Sequence, residues 1–567
     1  MKTKILNVFI ICLVSFQAVK AQKFEWASNF GGNGEDVVRD VHVTNRGEIY
    51  TSGYFTDTAI FNVNNIEETL YSNGFYDIFV QKSDTSGNLL WVKGVGGSMF
   101  EYATGLVTDD EGNIYITGVF SDTVDFDSGT EEFILSTPGD LDIFVLKLNP
   151  QGEFVWAKQI GGVDYEETTA IGYSPKGYIT MTGYMYNTVD FNPGPDEFLL
   201  DCDGGADSFI LFLNKDGEFV SVKKLGGLEL ILALDMDVHA SGDIFVTGYF
   251  SGTVDFNPHP DQQNLQTASE SSLSLYILHL DAEGNYKKSM ITHGGKAMSM
   301  GIAVDSDTNA YLTGYFYETV NFDPDSLAGD GNTFLSDNNY NGFVMKVNNK
   351  GELAWARHQK SDHPFFSYDV AVNSKKEVHV SGFFEVQADF NLSPEQEFMM
   401  TKKSNNATDA YLLVFDENGV FKNAYQFGGV DFIDDHNMAI DLEDNIYLAA
   451  HFETGVDINP LPDEELTVTA ILYRDSYLIR LSTETTIGIK QQVESMPSIY
   501  PNPAFDMIHV SFLSGDTETT YTICNTLGKI IKTGKISPNQ SIDIDEFNKG
   551  VYFLSYGNHR NLKFSKL

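Results

Sequence analysis

The eight residues Asn113-Ile-Tyr-Ile-Thr-Gly-Val-Phe120 recur along the chain, and that recurrence limits the fold more than any other feature. Further copies are Glu48-Ile-Tyr-Thr-Ser-Gly53-Tyr-Phe, Tyr178-Ile-Thr-Met-Thr-Gly183-Tyr-Met, Asp243-Ile-Phe-Val-Thr-Gly248-Tyr-Phe, Ala310-Tyr-Leu-Thr-Gly314-Tyr-Phe and Glu377-Val-His-Val-Ser-Gly382-Phe-Phe. A seventh, Asn445-Ile-Tyr-Leu-Ala-Ala450-His-Phe, has Ala in the Gly position. The anchors 53, 118, 183, 248, 314, 382 and 450 stand 65, 65, 65, 66, 68 and 68 residues apart. Self-similarity at a fixed period decides architecture before any single motif does.

Each repeat runs through four parts in order. In the copy opening at Asp77, Asp77-Ile-Phe-Val-Gln-Lys-Ser reads as a strand and Asp84-Thr-Ser-Gly87-Asn as a tight turn. Asp supplies a hydrogen-bonding side chain there, and Gly a positive φ. Leu89-Leu-Trp91-Val-Lys returns as a second strand, followed by Gly96-Gly97. Ala103 to Thr108 makes a third strand, and Asp109-Asp-Glu-Gly112 turns into the fourth, the recurring stretch. A longer segment, Ser121 to Leu141, leads to the next copy at Asp142. The openings are Asp77, Asp142, Asp207, Ser274, Asn341, Asp409 and Asp475. Gly pairs stand at 31–32, 96–97, 161–162, 226–227, 294–295 and 428–429, and Lys360-Ser361 replaces the remaining one. No useful length carries a helical period.

Seven all-β units of four strands predict a seven-bladed β-propeller over residues 22–481. The ends are complementary. Phe24-Glu-Trp26-Ala-Ser-Asn-Phe30-Gly-Gly is the strand that should follow an Asp-x-Phe strand, and Asp475-Ser-Tyr-Leu-Ile-Arg-Leu481 is such a strand without a follower. Residues 24–30 are therefore expected to form the outer strand of the blade built from residues 436–481, which removes an open sheet edge.

The remaining segments are of other kinds. Residues 1–21 read as a signal peptide: Lys2 and Lys4, an apolar run from Ile5 to Phe16, and small residues around Val19-Lys20-Ala21. No later apolar stretch is long enough to span a membrane. Residues 482–497 read as a polar linker. Residues 498–567 carry short alternating strands that suggest a small Ig-like β-sandwich. The two remaining cysteines, Cys202 and Cys524, fall in different predicted domains, so stability must come from a large core.

With 36 basic against 80 acidic residues the net charge is −44. That excludes a general nucleic-acid or anionic-membrane binder, since both need Lys and Arg against phosphate. It implies a soluble, self-repelling surface, or carboxylates that hold cations. A monomer is expected.

The C-terminal segment resembles the type A C-terminal sorting domain of type IX secretion substrates in Bacteroidota. The resemblance rests on Tyr500-Pro-Asn-Pro503, Leu527-Gly528-Lys529, Lys549-Gly550-Val-Tyr-Phe553 and the terminal Lys-Phe-Ser-Lys-Leu567. It implies that residues 498–567 engage the type IX secretion machinery, with passage across the outer membrane to the surface or the extracellular space. The repeats resemble a bacterial β-propeller repeat family, most closely at Asp142-Ile-Phe-Val-Leu-Lys-Leu with Trp156 and Gly161-Gly162. That resemblance implies a fold and no catalytic residues.

Chemistry has two candidate locations. The first is an acidic signature in the long segment of each repeat, as in Val189-Asp190-Phe-Asn192-Pro-Gly-Pro-Asp196 and Val254-Asp255-Phe-Asn257-Pro-His-Pro-Asp261. Asp190, Asn192, Asp196, Asp255, Asn257 and Asp261 offer alternating oxygens of the kind Ca²⁺ takes. The same residues also suit a structural turn with a buried Phe and Asx hydrogen bonds. The second is where the repeat breaks, at His358-Gln-Lys-Ser-Asp362-His363-Pro364 and Asp431-Phe-Ile-Asp434-Asp435-His436. Each sets His beside carboxylates, a pairing that binds metal or transfers protons. Regular repeats without an irregular catalytic cluster favour a secreted, non-enzymatic module that binds an extracellular protein or glycan. The alternative is a propeller hydrolase or lyase acting on polysaccharide or peptide in a central funnel.

Overall fold

A computed structural model describes residues 22–483 and 499–566, apart from 64–65, 138, 260, 269–271, 324–331, 337–338, 360, 362, 392–396, 404–407, 430–432, 461–465, 472, 501–506, 511–518, 527–528, 538–540 and 557–558. The expected signal peptide, most of the linker and the Tyr500-Pro-Asn-Pro503 prolines lie outside the described residues. The chain divides into two compact units between Glu484 and Thr485. The described strands pair almost wholly antiparallel, Val63 with Leu89 being a parallel exception, and no helix lies among the described residues.

One sheet shows how a repeat is built. Its order is Leu199–Asp201, Thr188–Asp190, Phe154–Gly162, Asp142–Leu148, Ile114–Phe120, Glu101–Thr108. The turn from Glu101–Thr108 into Ile114–Phe120 is held by Asp109, whose Oδ1 accepts from the Glu111 and Asn113 amides at 3.0 and 2.8 Å. Gly112 closes it at φ +85°, where a β-carbon would be strained. The strand Ile114–Phe120 is buried at every position. Its period-2 pattern therefore does not separate a wet face from a dry one. Both faces pack against neighbouring sheets, and its polar members are satisfied internally: the Thr117 hydroxyl donates to the Phe144 carbonyl at 3.1 Å.

The glycine of the recurring stretch opposes a bulge. The inner strand skips one residue between Ala103 and Gly105, and a Cβ on Gly118 would lie 2.0 Å from the Tyr102 carbonyl oxygen. The same clash, with Val37, Glu167, Leu232, Met298 and Phe366 carbonyls, awaits Gly53, Gly183, Gly248, Gly314 and Gly382. Where Ala450 stands in this position, the register shifts between Asp434, opposite His451, and Asn437, opposite Ala449, again by one extra residue on the inner strand. Gly118→Val is thus expected to destabilise the first unit by more than about 3 kcal/mol, as overpacking against backbone cannot relax; a urea midpoint unchanged from the parent would contradict this account.

The long segment of each repeat, read from sequence as a connection, carries a short hairpin. Thr188–Asp190 and Leu199–Asp201 extend the sheet of the preceding repeat by pairing with its Gly pair, Gly161 to Asp190 and Gly162 to Val189. The Gly pairs have two distinct reasons. A Cβ on the first Gly would strike the carboxylate of the strand-opening Asp, at 2.1 Å for Gly96 with Asp77 and 2.3 Å for Gly161 with Asp142. A Cβ on the second would strike a hairpin carbonyl, at 2.4 Å for Gly97 with Thr123 and 2.3 Å for Gly162 with Thr188. The recurrent Trp has a similar logic. Trp26, Trp91, Trp156 and Trp355 lie over the turn glycines Gly87, Gly152, Gly217 and Gly419 of the next repeat.

The core lies between sheets. One cluster joins Tyr50, Ile78 and Val80 of the first repeat to Ile116, Phe126 and Phe144 of the second. Another joins Phe30, Val38 and Phe79 to Tyr447, Ala449 and Leu478, which brings the two ends of the unit together. As expected from sequence, the first strand, Gln22–Gly32, pairs antiparallel with Asp475–Thr483, Phe24 opposite Leu481 and Phe30 opposite Ser476. In the second unit a three-stranded and a four-stranded sheet share a core of Ile508, Ile523, Ile542, Leu554 and Phe564.

Candidate binding cavity

The innermost strand of each repeat faces a single cavity of about 900 Å³. These strands are Asp36–Val43, Glu101–Thr108, Glu166–Tyr173, Ile231–Val238, His293–Val304, Phe365–Val372 and Ile433–Ile440. Each touches the next, and the last touches the first. The bulge residues Arg39, Thr104, Thr169, Leu234, Met300 and Tyr368 line the cavity because an extra residue turns the chain off the sheet there.

The residue after the bulge is Asp40, Gly105, Ala170, Asp235, Gly301, Asp369 and Asn437 in repeat order. Each of the three aspartates reaches the next inner strand and accepts from its backbone. Asp40 Oδ2 accepts from the Leu106 amide at 2.7 Å, Asp235 Oδ2 from Ile302 at 2.8 Å and Asp369 Oδ2 from Met438 at 2.7 Å. A small or amide side chain follows each time, at Gly105, Gly301 and Asn437, which leaves room for the incoming carboxylate. Asp237 repeats the contact one step along, to Val304 at 2.7 Å. Burial raises all four: Asp40 and Asp237 to about 6, Asp369 to about 7 with the Asp40 charge adding to it, and Asp235 well above the usual range with Asp369 adding. His42 is held neutral, its pKa pushed down to about 4 by burial, with Nε2 3.0 Å from Thr108 Oγ1.

At the strand-start end of the cavity, Glu167 gathers three tyrosine hydroxyls. It accepts from Tyr102 at 3.3 Å and from Tyr165 and Tyr184. Burial and the Glu167 charge raise all three phenols, so they remain donors. Tyr102, Glu167 and Tyr184 line the cavity.

The residues singled out in sequence lie elsewhere. Asp190 ends the short strand Thr188–Asp190; its Oδ1 accepts from the Asn192 and Phe198 amides at 3.0 and 2.8 Å. Asn192 Oδ1 accepts from Gly194 at 2.9 Å. Asp255 Oδ1 accepts from Asn257 and Asn264 at 3.0 and 2.8 Å, and Asn257 Oδ1 from His259 at 3.1 Å. The Asp261 amide donates to His259 Nδ1 at 3.2 Å; the Asp196 side chain is exposed. Between these loops the buried Phe of the signature fills the core, as Phe126 does 5.2 Å from Phe144. Among the described residues no three His, Cys, Asp or Glu side chains gather as a metal cluster. At the first repeat break, His358 stacks on Phe334 at 4.4 Å and His363 is exposed, while Asp362 lies outside the described residues. At the second, Asp431 lies outside them, and the side chains of Asp434, Asp435 and His436 are not among those described.

Sequence reasoning missed the cavity carboxylates and the tyrosine–glutamate mouth. A signal existed. Aligning the inner strands by their bulge puts Asp in three repeats where three others have Gly or Ala and the seventh has Asn, so a carboxylate recurs at a half-buried position that small residues also fill.

The chain is 25% identical over 438 residues to an uncharacterized WD repeat-containing protein of Acanthamoeba polyphaga mimivirus, covering 65% of this chain and 31% of that protein. It is 20% identical over 232 residues to the regulatory protein FlaEY of Caulobacter vibrioides, covering 40% of this chain and 24% of that protein. The chain thus spans less than a third of the length of these curated relatives. Among solved structures, a mutant of Synechocystis apocarotenoid oxygenase aligns over 80% of this chain and 95% of its own, at 10% identity and a TM-score of 0.33. No helix among the described residues is long and apolar enough to cross a membrane. Residues 498–567 match the family model of the secretion system C-terminal sorting domain, and this segment is a type IX sorting domain, which implies interaction with that machinery and export across the outer membrane.

Proposed function

We propose that residues 22–481 form a seven-bladed β-propeller that acts outside the cell as a non-enzymatic binding or scaffold module for a protein or glycan, carried there by an Ig-like sorting domain at residues 498–567. The observation that carries this reading is the use made of the cavity carboxylates. Asp40, Asp235 and Asp369 each hold a backbone amide of the neighbouring strand, so they act as braces between repeats. The mouth beside them offers tyrosine rings and hydroxyls around Glu167, groups that stack on and hydrogen-bond to polar ligands. The repeat grammar, the ring of inner strands and the WD repeat-containing relative support the propeller.

The test is a glycan array and an extracellular pull-down with the chain from Gln22 onward, beside Tyr184→Ala. Binding that Tyr184→Ala weakens at least tenfold is the expected result. A hydrolase or lyase remains the second reading, because carboxylates with raised pKa values cluster at catalytic sites. Cleavage in a polysaccharide or peptide panel, abolished by Asp235→Asn, would establish that reading and overturn the first.

A further inference from the structure

We propose that three seams between neighbouring sheets each bind a divalent cation of the calcium class, held by a pair of buried carboxylates: Asp36 with Asp475, Glu101 with Asp77, and Glu166 with Asp142.

The pairs arise from the Gly-Gly step. The opening Asp lies over the first glycine, where a Cβ on Gly31, Gly96 or Gly161 would be 2.1, 2.1 or 2.3 Å from the Asp475, Asp77 or Asp142 carboxyl carbon. The acid that starts the next inner strand accepts from the amide of the second glycine: Asp36 from Gly32 at 2.7 Å, Glu101 from Gly97 at 2.8 Å and Glu166 from Gly162 at 3.2 Å. Two carboxylates on either side of the seam therefore meet across the Gly-Gly step, close enough for their charges to interact. All six side chains are at most 2% exposed. Asp36 Oδ1, Asp475 Oδ1, Glu101 Oε1 and Glu166 Oε1 are buried without a hydrogen-bond partner. Unpartnered carboxylate oxygens inside a protein are costly, and like-charged neighbours make them more so.

The fourth seam is an internal control. There the inner strand starts with Ile231 in place of an acid, opposite Phe250 as Glu101 is opposite Phe120. Asp207 is left as a single carboxylate, and Lys224 Nζ stands 3.5 Å from it. The position of Lys224, opposite Phe209, is taken by Asn29, Gly94 and Gln159 in the three seams with paired acids. No lysine or arginine among the described residues forms an ion pair with any of the six carboxylates. The other charges that face them are negative, Asp122 at Glu101 and Asp164 at Glu166. Among these four seams, the one that brings a lysine has a single acid, and the three with two acids bring no lysine or arginine. Hard anionic oxygens in pairs are the ligands Ca²⁺ takes, with neighbouring carbonyls such as Thr188 O to complete the shell.

The experiment is thermal unfolding and calorimetric titration of the chelator-treated chain from Gln22 onward at pH 8, with and without millimolar CaCl₂. Calcium is expected to raise the melting temperature by several degrees, by mass action on the folded state. Asp36→Asn, Glu101→Gln and Glu166→Gln should each lower the calorimetric stoichiometry by one ion, so the idea stays testable if their combination fails to fold. Asp190→Asn with Asp255→Asn should leave the response intact. Absence of any calcium or magnesium response in the parent would mean that each pair shares a proton only, and would overturn the proposal. So would a response lost in the Asp190/Asp255 variant and kept in the seam variants.

Discussion

A chain that begins at Asn33 is expected to unfold far more readily than one that begins at Gln22, and to aggregate on warming. The strand Gln22–Gly32 pairs through eight registered residues with Asp475–Thr483, from Gln22 opposite Thr483 to Phe30 opposite Ser476. Phe30 is buried and stacks on Phe61 at 5.0 Å and against Phe79 at 5.2 Å. Trp26 covers the Gly87 turn, its indole N–H donating to the Thr85 carbonyl at 3.1 Å. At about 1 kcal/mol net per backbone hydrogen bond and about 2 kcal/mol for a buried Phe, the loss is on the order of 5–8 kcal/mol. The deletion also exposes the edge of Asp475–Thr483, whose Tyr477, Ile479 and Leu481 are fully buried in the parent, and such an edge recruits other chains. Melting followed by circular dichroism and light scattering gives the answer, and a peptide of residues 22–32 added in trans should restore part of the lost stability. An unchanged melting curve would refute the closure.

The second large effect is on pH dependence. In the metal-free protein, burial raises Asp36, Glu101 and Glu166 each to about 8, with Asp475, Asp77 and Asp142 respectively adding their charge and the Gly32, Gly97 and Gly162 amides opposing. Asp475 is itself raised to about 6 by burial. In the unfolded chain such groups titrate near 4. Between about pH 4 and pH 8 the folded state therefore holds more protons than the unfolded state, and stability falls as pH rises through that window. The contribution is complete below about pH 4 and lost by the time the folded-state values are passed. Each group contributes on the order of 1–3 kcal/mol. Urea unfolding in a chelator should give a clearly lower midpoint at pH 9 than at pH 5. Glu101→Gln and Glu166→Gln should flatten that slope and raise the midpoint at pH 9. A midpoint that rises with pH would refute the assignment.

Much of the architecture is legible in the residues because it is local. The Asp-x-x-Gly turns, the Gly opposite the bulge and the Gly pair are each dictated by atoms within one repeat, so their signatures return with each copy. The long segment was harder to read. Its three-residue strands, such as Thr188–Asp190, are too short to show a period, and only pairing with Gly161 and Gly162 makes them part of a sheet. The acidic signature in that segment offers oxygens of the kind a cation takes, and Asp190 Oδ1, Asn192 Oδ1, Asp255 Oδ1 and Asn257 Oδ1 each accept from an amide of their own loop. The buried oxygens Asp36 Oδ1, Asp475 Oδ1, Glu101 Oε1 and Glu166 Oε1, which have no hydrogen-bond partner, lie at the seams.

The period, the order of strands within a copy and the C-terminal sorting segment are legible in the residues alone, since each is written within about 70 residues of contiguous chain, and the complementary ends are legible because one copy's grammar is split between residues 24–32 and 475–481. Which acids meet depends on how one sheet packs on the next. Asp40 finds Leu106 in the next repeat, and Asp36 finds Asp475 at the other end of the unit. Repetition shows that two positions are equivalent and is silent on which neighbour each one touches. Desolvation, which turns an ordinary carboxylate into a group that calls for a proton or a cation, depends on what packs over it from another sheet.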